Sequence, residues 1–88
     1  MNVRIDKSFE KDSNKVKDKS ILKKIVSCIE KVRKCSQISE ITNLKKLQGS
    51  NNCYRIRIGD YRAGVMISGN TVTFIRFLHR KEIYRTFP

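Results

Sequence analysis

The chain is 88 residues long, and its 20 Lys and Arg against 8 Asp and Glu leave a formal charge of +12. A chain of this length buries only roughly 60–65% of its unfolded surface, which allows one thin core, excludes separate cofactor and substrate domains, and puts any active site at the surface. Its apolar runs fall far short of the roughly 20 residues needed to span a bilayer, and three cysteines with one histidine write neither a disulfide framework nor a zinc site. The N-terminus Met1-Asn2-Val3-Arg4-Ile5-Asp6 has no apolar signal core. The expectation is a soluble, cytoplasmic, single domain over 1–88 that needs no metal or cofactor.

Val3 and Ile5 alternate with polar neighbours over Asn2–Asp6, the pattern of a strand half-buried on one face. Asp6 then caps a first helix predicted over about Lys7–Lys17, with Phe9 and Val16 two turns apart on its apolar stripe. A stronger amphipathic pattern predicts a second helix over about Lys19–Ser36, capped by Asp18 or Ser20. Ile21, Leu22, Ile25, Val26, Cys28, Ile29 and Val32 recur at steps of three and four, while the lysines between them point away. Cys28 and Cys35, seven apart, read as small buried side chains. The polar stretch Ser36–Asn52 reads as a loop held by the anchors Ile38, Ile41, Leu44 and Leu47.

From Cys53 the period is two. Tyr54, Ile56 and Ile58 alternate with Cys53, Arg55 and Arg57, and the dipeptides Gly59-Asp60 and Gly69-Asn70 are favoured two-residue hairpin turns. The pattern predicts a three-stranded antiparallel meander over Cys53–Ile58, Tyr61–Ile67 and Thr71–Leu78. With the N-terminal strand added and both helices on one face, the fold class is α+β: a two-layer domain around a four-stranded sheet. His79-Arg80-Lys81-Glu82-Ile83-Tyr84 is too charged for a core strand and is expected at the sheet's edge or in a short turn of helix.

The type of cation changes at Ser50. Residues 1–50 carry eleven Lys and two Arg, whereas residues 51–88 carry one Lys and six Arg. Lys is a mobile point charge, whereas the planar fork of Arg fixes the orientation of a phosphate, so the C-terminal half is the candidate site. Arg55 and Arg57 share one sheet face, and Arg62 enters the adjacent strand just past the turn. That half has only Asp60 and Glu82 as acids, so a face with three close cations is unfavourable unless an anion visits. Nucleic acid is the first candidate partner and an acidic protein the second.

Gly-x-Ser-x-Gly, a phosphate loop and paired carboxylates are all missing, which disfavours acyl transfer, nucleotide hydrolysis and metal-dependent nuclease chemistry. What these residues permit is phosphodiester chemistry on RNA, where the substrate supplies its own 2′-hydroxyl nucleophile and the protein supplies orientation, charge stabilisation and proton transfer. The candidates for proton transfer are Tyr84, His79 and Lys81.

The order of strand, two helices, Leu47-Gln48-Gly49, Cys53-Tyr54-Arg55-Ile56-Arg57-Ile58-Gly59-Asp60-Tyr61-Arg62 and His79-Arg80-Lys81-Glu82-Ile83-Tyr84-Arg85 resembles the RelE/ParE toxin superfamily of type II toxin–antitoxin pairs. The resemblance implies a RelE-like fold. In the RelE branch it implies an mRNA interferase, an endoribonuclease that cleaves mRNA in the ribosomal A site, with mRNA, ribosomal RNA and a cognate acidic antitoxin as partners. Matched position by position, it assigns phosphate stabilisation to Arg55, Arg57 and Arg62, proton donation or charge stabilisation near the leaving oxygen to Arg80, and base stacking or proton transfer to Tyr84. Lys45, Lys46, Arg76, Lys81 and Arg85 are read as further RNA contacts. Both strand positions are lysine in the best-known RelE pattern and arginine here. A pKa above about 12 bars an arginine from acting as general base near neutral pH, so the base falls to Tyr84, to His79 as the secondary candidate, or to the ribosome. The alternative is a ParE-like toxin that binds DNA gyrase without cutting RNA, and a third reading is a basic RNA-binding module without chemistry.

Overall fold

The computed structural model describes residues 1–88 as one sheet covered unequally on its two faces. In chain order the elements are β1 (Asn2–Ile5), α1 (Lys7–Asn14), α2 (Lys19–Lys34), a 3-10 turn (Ile38–Glu40), β2 (Leu44–Lys46), β3 (Cys53–Ile58), β4 (Tyr61–Ser68), β5 (Thr71–His79) and α3 (Arg80–Thr86). The sheet runs β1-β5-β4-β3-β2, with β1 parallel to β5 and every other pair antiparallel. It therefore has five strands where the sequence pattern predicts four. The extra one, β2, is a three-residue edge strand inside the expected loop. Lys45 and Lys46 hide it, since charged residues on a short edge strand are an ordinary guard against further pairing and not a strand signal.

Local chemistry starts and stops the helices. The Asp6 carboxylate accepts from the Ser8 amide, and Asp18 accepts from the Ser20 amide at 2.9 Å and the Ser20 hydroxyl at 2.8 Å. These bonds, led by the serine hydroxyls, hold both carboxyls below the ordinary value. The stabilisation they bring is present above the unfolded carboxylate pKa and is lost as pH falls through the folded one. α1 ends at Asn14, short of the predicted Lys17. Gly59 and Gly69 take φ of 59° and 57°, the left-handed region that a first hairpin position demands.

α1 and α2 lie on one sheet face, as their apolar stripes require. Phe9, Ile21, Ile25 and Val32 close a core with Ile56, Ile58, Ala63, Val65, Ile67, Val72, Phe74 and Phe77. Phe9 meets Phe74 and Phe77 edge to face, with ring centroids 5.4 and 5.7 Å apart. Residues three apart on an uninterrupted strand would face opposite sides, yet Phe74 and Phe77 share this one. The register explains it: Gly64 pairs with Arg76 and Val65 with Phe74, leaving Ile75 as the extra residue of a β-bulge. Helix α1 satisfies the bulge. The Ile75 carbonyl accepts from the Ser8 hydroxyl, while the buried Asp12 carboxylate accepts from the Phe77 amide at 3.0 Å and from Arg76 Nε at 2.7 Å.

The slip turns Ile75 and Leu78 to the other face. There they pack against a second, smaller core of Leu47, Cys53, Ile83 and Phe87. The charged C-terminal segment is thus the helix α3, seated by Ile83 and Phe87 one turn apart. No helix of the chain is long and apolar enough to cross a membrane.

Because Asp12 serves both a buried amide and a guanidinium, Asp12→Ala is expected to lower stability by about 3 kcal/mol. Arg76→Met, which leaves the Phe77 amide satisfied, should lower it by less. Urea unfolding followed by circular dichroism checks the order.

Candidate functional site

The face that carries α3 also carries the arginines. Alternation along β3 sends Cys53, Arg55 and Arg57 to it, and Tyr54, Ile56 and Ile58 to the main core. On β4, Arg62 sits directly opposite Arg57, and Gly64 directly opposite Arg55. Lys45 is opposite Arg55 on the other side, so it lies on the same face, whereas Lys46 pairs with Tyr54 and lies on the helical face.

Gly64 makes room for α3. A Cβ there would sit 2.7 Å from the Phe87 ring, which lies flat against the glycine backbone. With Phe87 so close, the adjoining turn of α3 comes down over β3, and the Tyr84 ring covers the Arg55 guanidinium, whose Cζ is 4.4 Å from the ring centroid. Such a cation–π contact contributes about 0.5–2 kcal/mol depending on its exposure. Arg55 Nε is buried and has no hydrogen-bond partner. One donor of this arginine is already stripped of water, which removes part of the desolvation cost of binding an anion beside it.

The other cations are held more loosely. Arg62 Nη1 donates to the carbonyls of Gly59 and Tyr61, both at 2.9 Å, so its guanidinium folds back over the turn and away from Arg57. Arg57 is exposed, and its Nη2 donates to Asn43 Oδ1 at 3.4 Å. Like charges directly opposite on neighbouring strands are unfavourable, and these two bonds relieve the pair by drawing it apart. The Arg80 amide donates to the Asp60 carbonyl at 2.8 Å in that same turn. Arg80 and Tyr84 are four apart on α3 and share a stripe. Lys81 and Arg85 are exposed on that helix.

Besides Lys46, two expected site residues lie elsewhere. Arg76 is bound by Asp12 through Nε and Nη2, and that bond raises its pKa further above the ordinary value. His79 pairs across the strands with Tyr61, whose ring packs into the main core, and meets that ring edge-on at 5.7 Å. Its Nδ1 accepts from the Lys81 amide and caps α3. The structure thus brings together Arg55, Arg57, Arg62, Arg80, Tyr84 and Lys45. It places Lys46 and His79 on the other side of the sheet and ties Arg76 to Asp12 of α1. Gly64, Phe87 and Asn43 belong to the site and were missed. An isolated glycine inside a strand was their one sequence signal, since it marks close approach of another group.

A family model described as the ParE toxin of the type II toxin–antitoxin system matches residues 3–84. The chain belongs to the RelE/ParE toxin superfamily. Within it, the chain is 40% identical over the whole length of both proteins to Toxin RelE3 of Methanocaldococcus jannaschii. It is also similar to a chain of the RelB–RelE antitoxin–toxin complex from Methanococcus jannaschii, with 38% identity, a TM-score of 0.80, and 97% and 99% of the two chains covered. A chain of the toxin–antitoxin complex RelBE2 from Mycobacterium tuberculosis shares the fold, with 24% identity, 90% of each chain covered and a TM-score of 0.65. The chain is therefore a RelE-like type II toxin.

Two outcomes are expected of the site's architecture. Gly64→Ala should unseat Phe87 and speed tryptic cutting at the bonds after Arg80, Lys81 and Arg85. Combined with Phe87→Ala it should be cut no faster than Phe87→Ala alone, because both changes break one contact. Arg57→Thr, which removes a like-charge neighbour, should raise stability by about 0.5 kcal/mol in urea unfolding.

Proposed function

We propose that this toxin is a ribosome-dependent mRNA interferase. The observation that carries the reading is the placement of Arg55, Arg57 and Arg62 on the one face of the sheet that also carries α3, the helix bearing Arg80 and Tyr84, with Arg55 directly beneath the Tyr84 ring. In this reading the 2′-hydroxyl of an mRNA nucleotide in the ribosomal A site attacks the adjacent phosphorus, and the 5′-oxygen of the next nucleotide leaves. Negative charge builds on the non-bridging oxygens. Arg55 and Arg57, about 6.6 Å apart along a strand, with Arg62 across from them, supply donors on two sides of that phosphate.

Arginine stays protonated, so it orients and stabilises but takes no proton. Proton transfer falls to Tyr84, whose ring also offers a stacking surface for a base once it lifts from Arg55. With Nδ1 occupied as a cap and its ring against Tyr61, His79 is a structural residue in this reading. Arg80, anchored at the turn that also holds Arg62, faces the developing charge on the leaving oxygen. Lys45, Lys81 and Arg85 extend the cationic face along the RNA backbone.

The partner that silences the toxin is an acidic antitoxin. The similar RelE chain of Methanococcus jannaschii was solved with its antitoxin RelB, and a +12 chain suits an acidic, partly disordered protein that orders on it. The family model's ParE description favours a second reading, inhibition of DNA gyrase without RNA cleavage.

Primer extension on a defined mRNA in a purified translation reaction separates the two. The interferase reading predicts new 5′ ends at A-site codons that require ribosomes. Arg55→Ala should reduce them about 100- to 1,000-fold, and Arg80→Ala and Tyr84→Phe should weaken them. Full-length message with every protein, together with inhibited supercoiling by purified gyrase, would establish the second reading.

A further inference from the structure

The sheet face that carries the arginines is covered at one end only. There α3 packs on Ile75 and Leu78 and, through Phe87, on Gly64. The other end, where β1 joins the sheet, lies open. The register sets Arg4, Thr73 and Met66 side by side across β1, β5 and β4, with Thr71 opposite Ser68 one step further out. Their neighbours Val3, Val72 and Ile67 turn into the main core, so these side chains stand on the α3 face. Arg4, Thr71, Thr73 and Ser68, with Ile5 and Asp6 at the sheet's edge, line a hollow of about 430 Å³. Arg4 is exposed, and the ion pairs of the chain are Arg33 with Glu30 and Arg76 with Asp12, which leaves the Arg4 guanidinium unpaired. The one acid in the hollow, Asp6, is committed to Ser8 as the cap of α1.

We propose that this open end is a second subsite for single-stranded RNA, which holds the backbone about two or three nucleotides away from the phosphate at Arg55. Its place beside a scissile phosphate rests on the interferase reading above. A guanidinium fork grips phosphate oxygens, and a hydroxyl both donates and accepts, as the ribose 2′-hydroxyl does, so one fork beside three hydroxyls suits a sugar–phosphate backbone. From Arg4 to Arg55 is three strand spacings across the sheet and two residues along it, about 16 Å. Met66 lies on that path, pairs with Cys53, and is 38% exposed, an adaptable apolar surface for a base. A strand held at Arg4 as well as at the arginines has less freedom to slide, and the phosphate at Arg55 is thereby kept in place under Tyr84.

The test uses the full chain without ribosomes and fluorescein-labelled oligouridylates of about three and about seven nucleotides, the shorter one unable to reach both ends of the face. Fluorescence anisotropy should show the longer RNA bound at least about tenfold more tightly. Arg4→Ala should cancel that gain, weakening the longer RNA about tenfold, leaving the shorter one unchanged and lowering the salt slope by about 0.7. Thr73→Val, which keeps the side-chain shape and removes the hydroxyl, should weaken the longer RNA about threefold. Lys23→Ala removes the same charge from an exposed position on α2, across the sheet, and should leave the gain intact. An Arg4→Ala protein that loses both RNAs alike, or loses the longer one no more than Lys23→Ala does, would overturn the proposal. Cleavage is not read in this experiment. A toxin that leaves ribosome-bound mRNA whole yet shows the Arg4-dependent gain fails the interferase reading and keeps the subsite, whereas a cleaving toxin without that gain keeps the reading and loses the subsite.

Discussion

The fold turns on one buried carboxylate. Asp12 accepts from the Phe77 amide and the Arg76 guanidinium, and with Ser8 on the Ile75 carbonyl it satisfies the polar groups that a bulge in β5 leaves unpaired. Backbone polar groups without partners inside a core are costly, so the bulge persists because α1 attends to it. The slip sends Phe74 and Phe77 to one face and Ile75 and Leu78 to the other. A sheet that would have been apolar on one side thereby gains a second apolar patch. α3 docks on that patch, and its docking puts Tyr84 over Arg55.

A small domain with a net charge of +12 holds its cations apart where it can, and this one gathers several on a single face. Their placement costs stability, since Arg57 and Arg62 stand directly opposite each other. Local acceptors moderate the cost: turn carbonyls for Arg62, Asn43 for Arg57, and an aromatic face for Arg55. None of these acceptors is a carboxylate. The guanidinium groups are thus oriented without being neutralised, the state in which a phosphate gains most by arriving. Arg76 is the contrast: it is paired with Asp12 and serves the fold.

Much of this was legible in the sequence. The period of two from Cys53, the Gly-Asp and Gly-Asn turns and the amphipathic pattern of residues 19–36 place three strands and one helix with little ambiguity, and Asp6 and Asp18 mark the helix starts. The arginine alternation on β3 assigns Arg55 and Arg57 to one face without any coordinates. What escaped depended on contacts distant in sequence. β2 is three residues long and exists because β3 offers it an edge. The bulge shows only as a broken phase in Phe74-Ile75-Arg76-Phe77, and reading that as a slip requires knowing that Ser8 and Asp12 lie opposite. Arg76 looks like a surface cation until its partner 64 residues away is placed. His79 follows a strand of odd phase, and the bulge decides which face it takes. The role of Gly64 is invisible until Phe87 lies on it.

The central claim is that the arginine face under α3 acts on a phosphate whose nucleophile the RNA itself provides. Ribosomes programmed with an mRNA bearing a single 2′-deoxynucleotide on the 5′ side of the scissile phosphate in the A site test it most directly. The account predicts no cleavage of that message, and cleavage of the all-ribose control to a fragment ending in a 2′,3′-cyclic phosphate. Cleavage of the 2′-deoxy message at the same phosphate would contradict it.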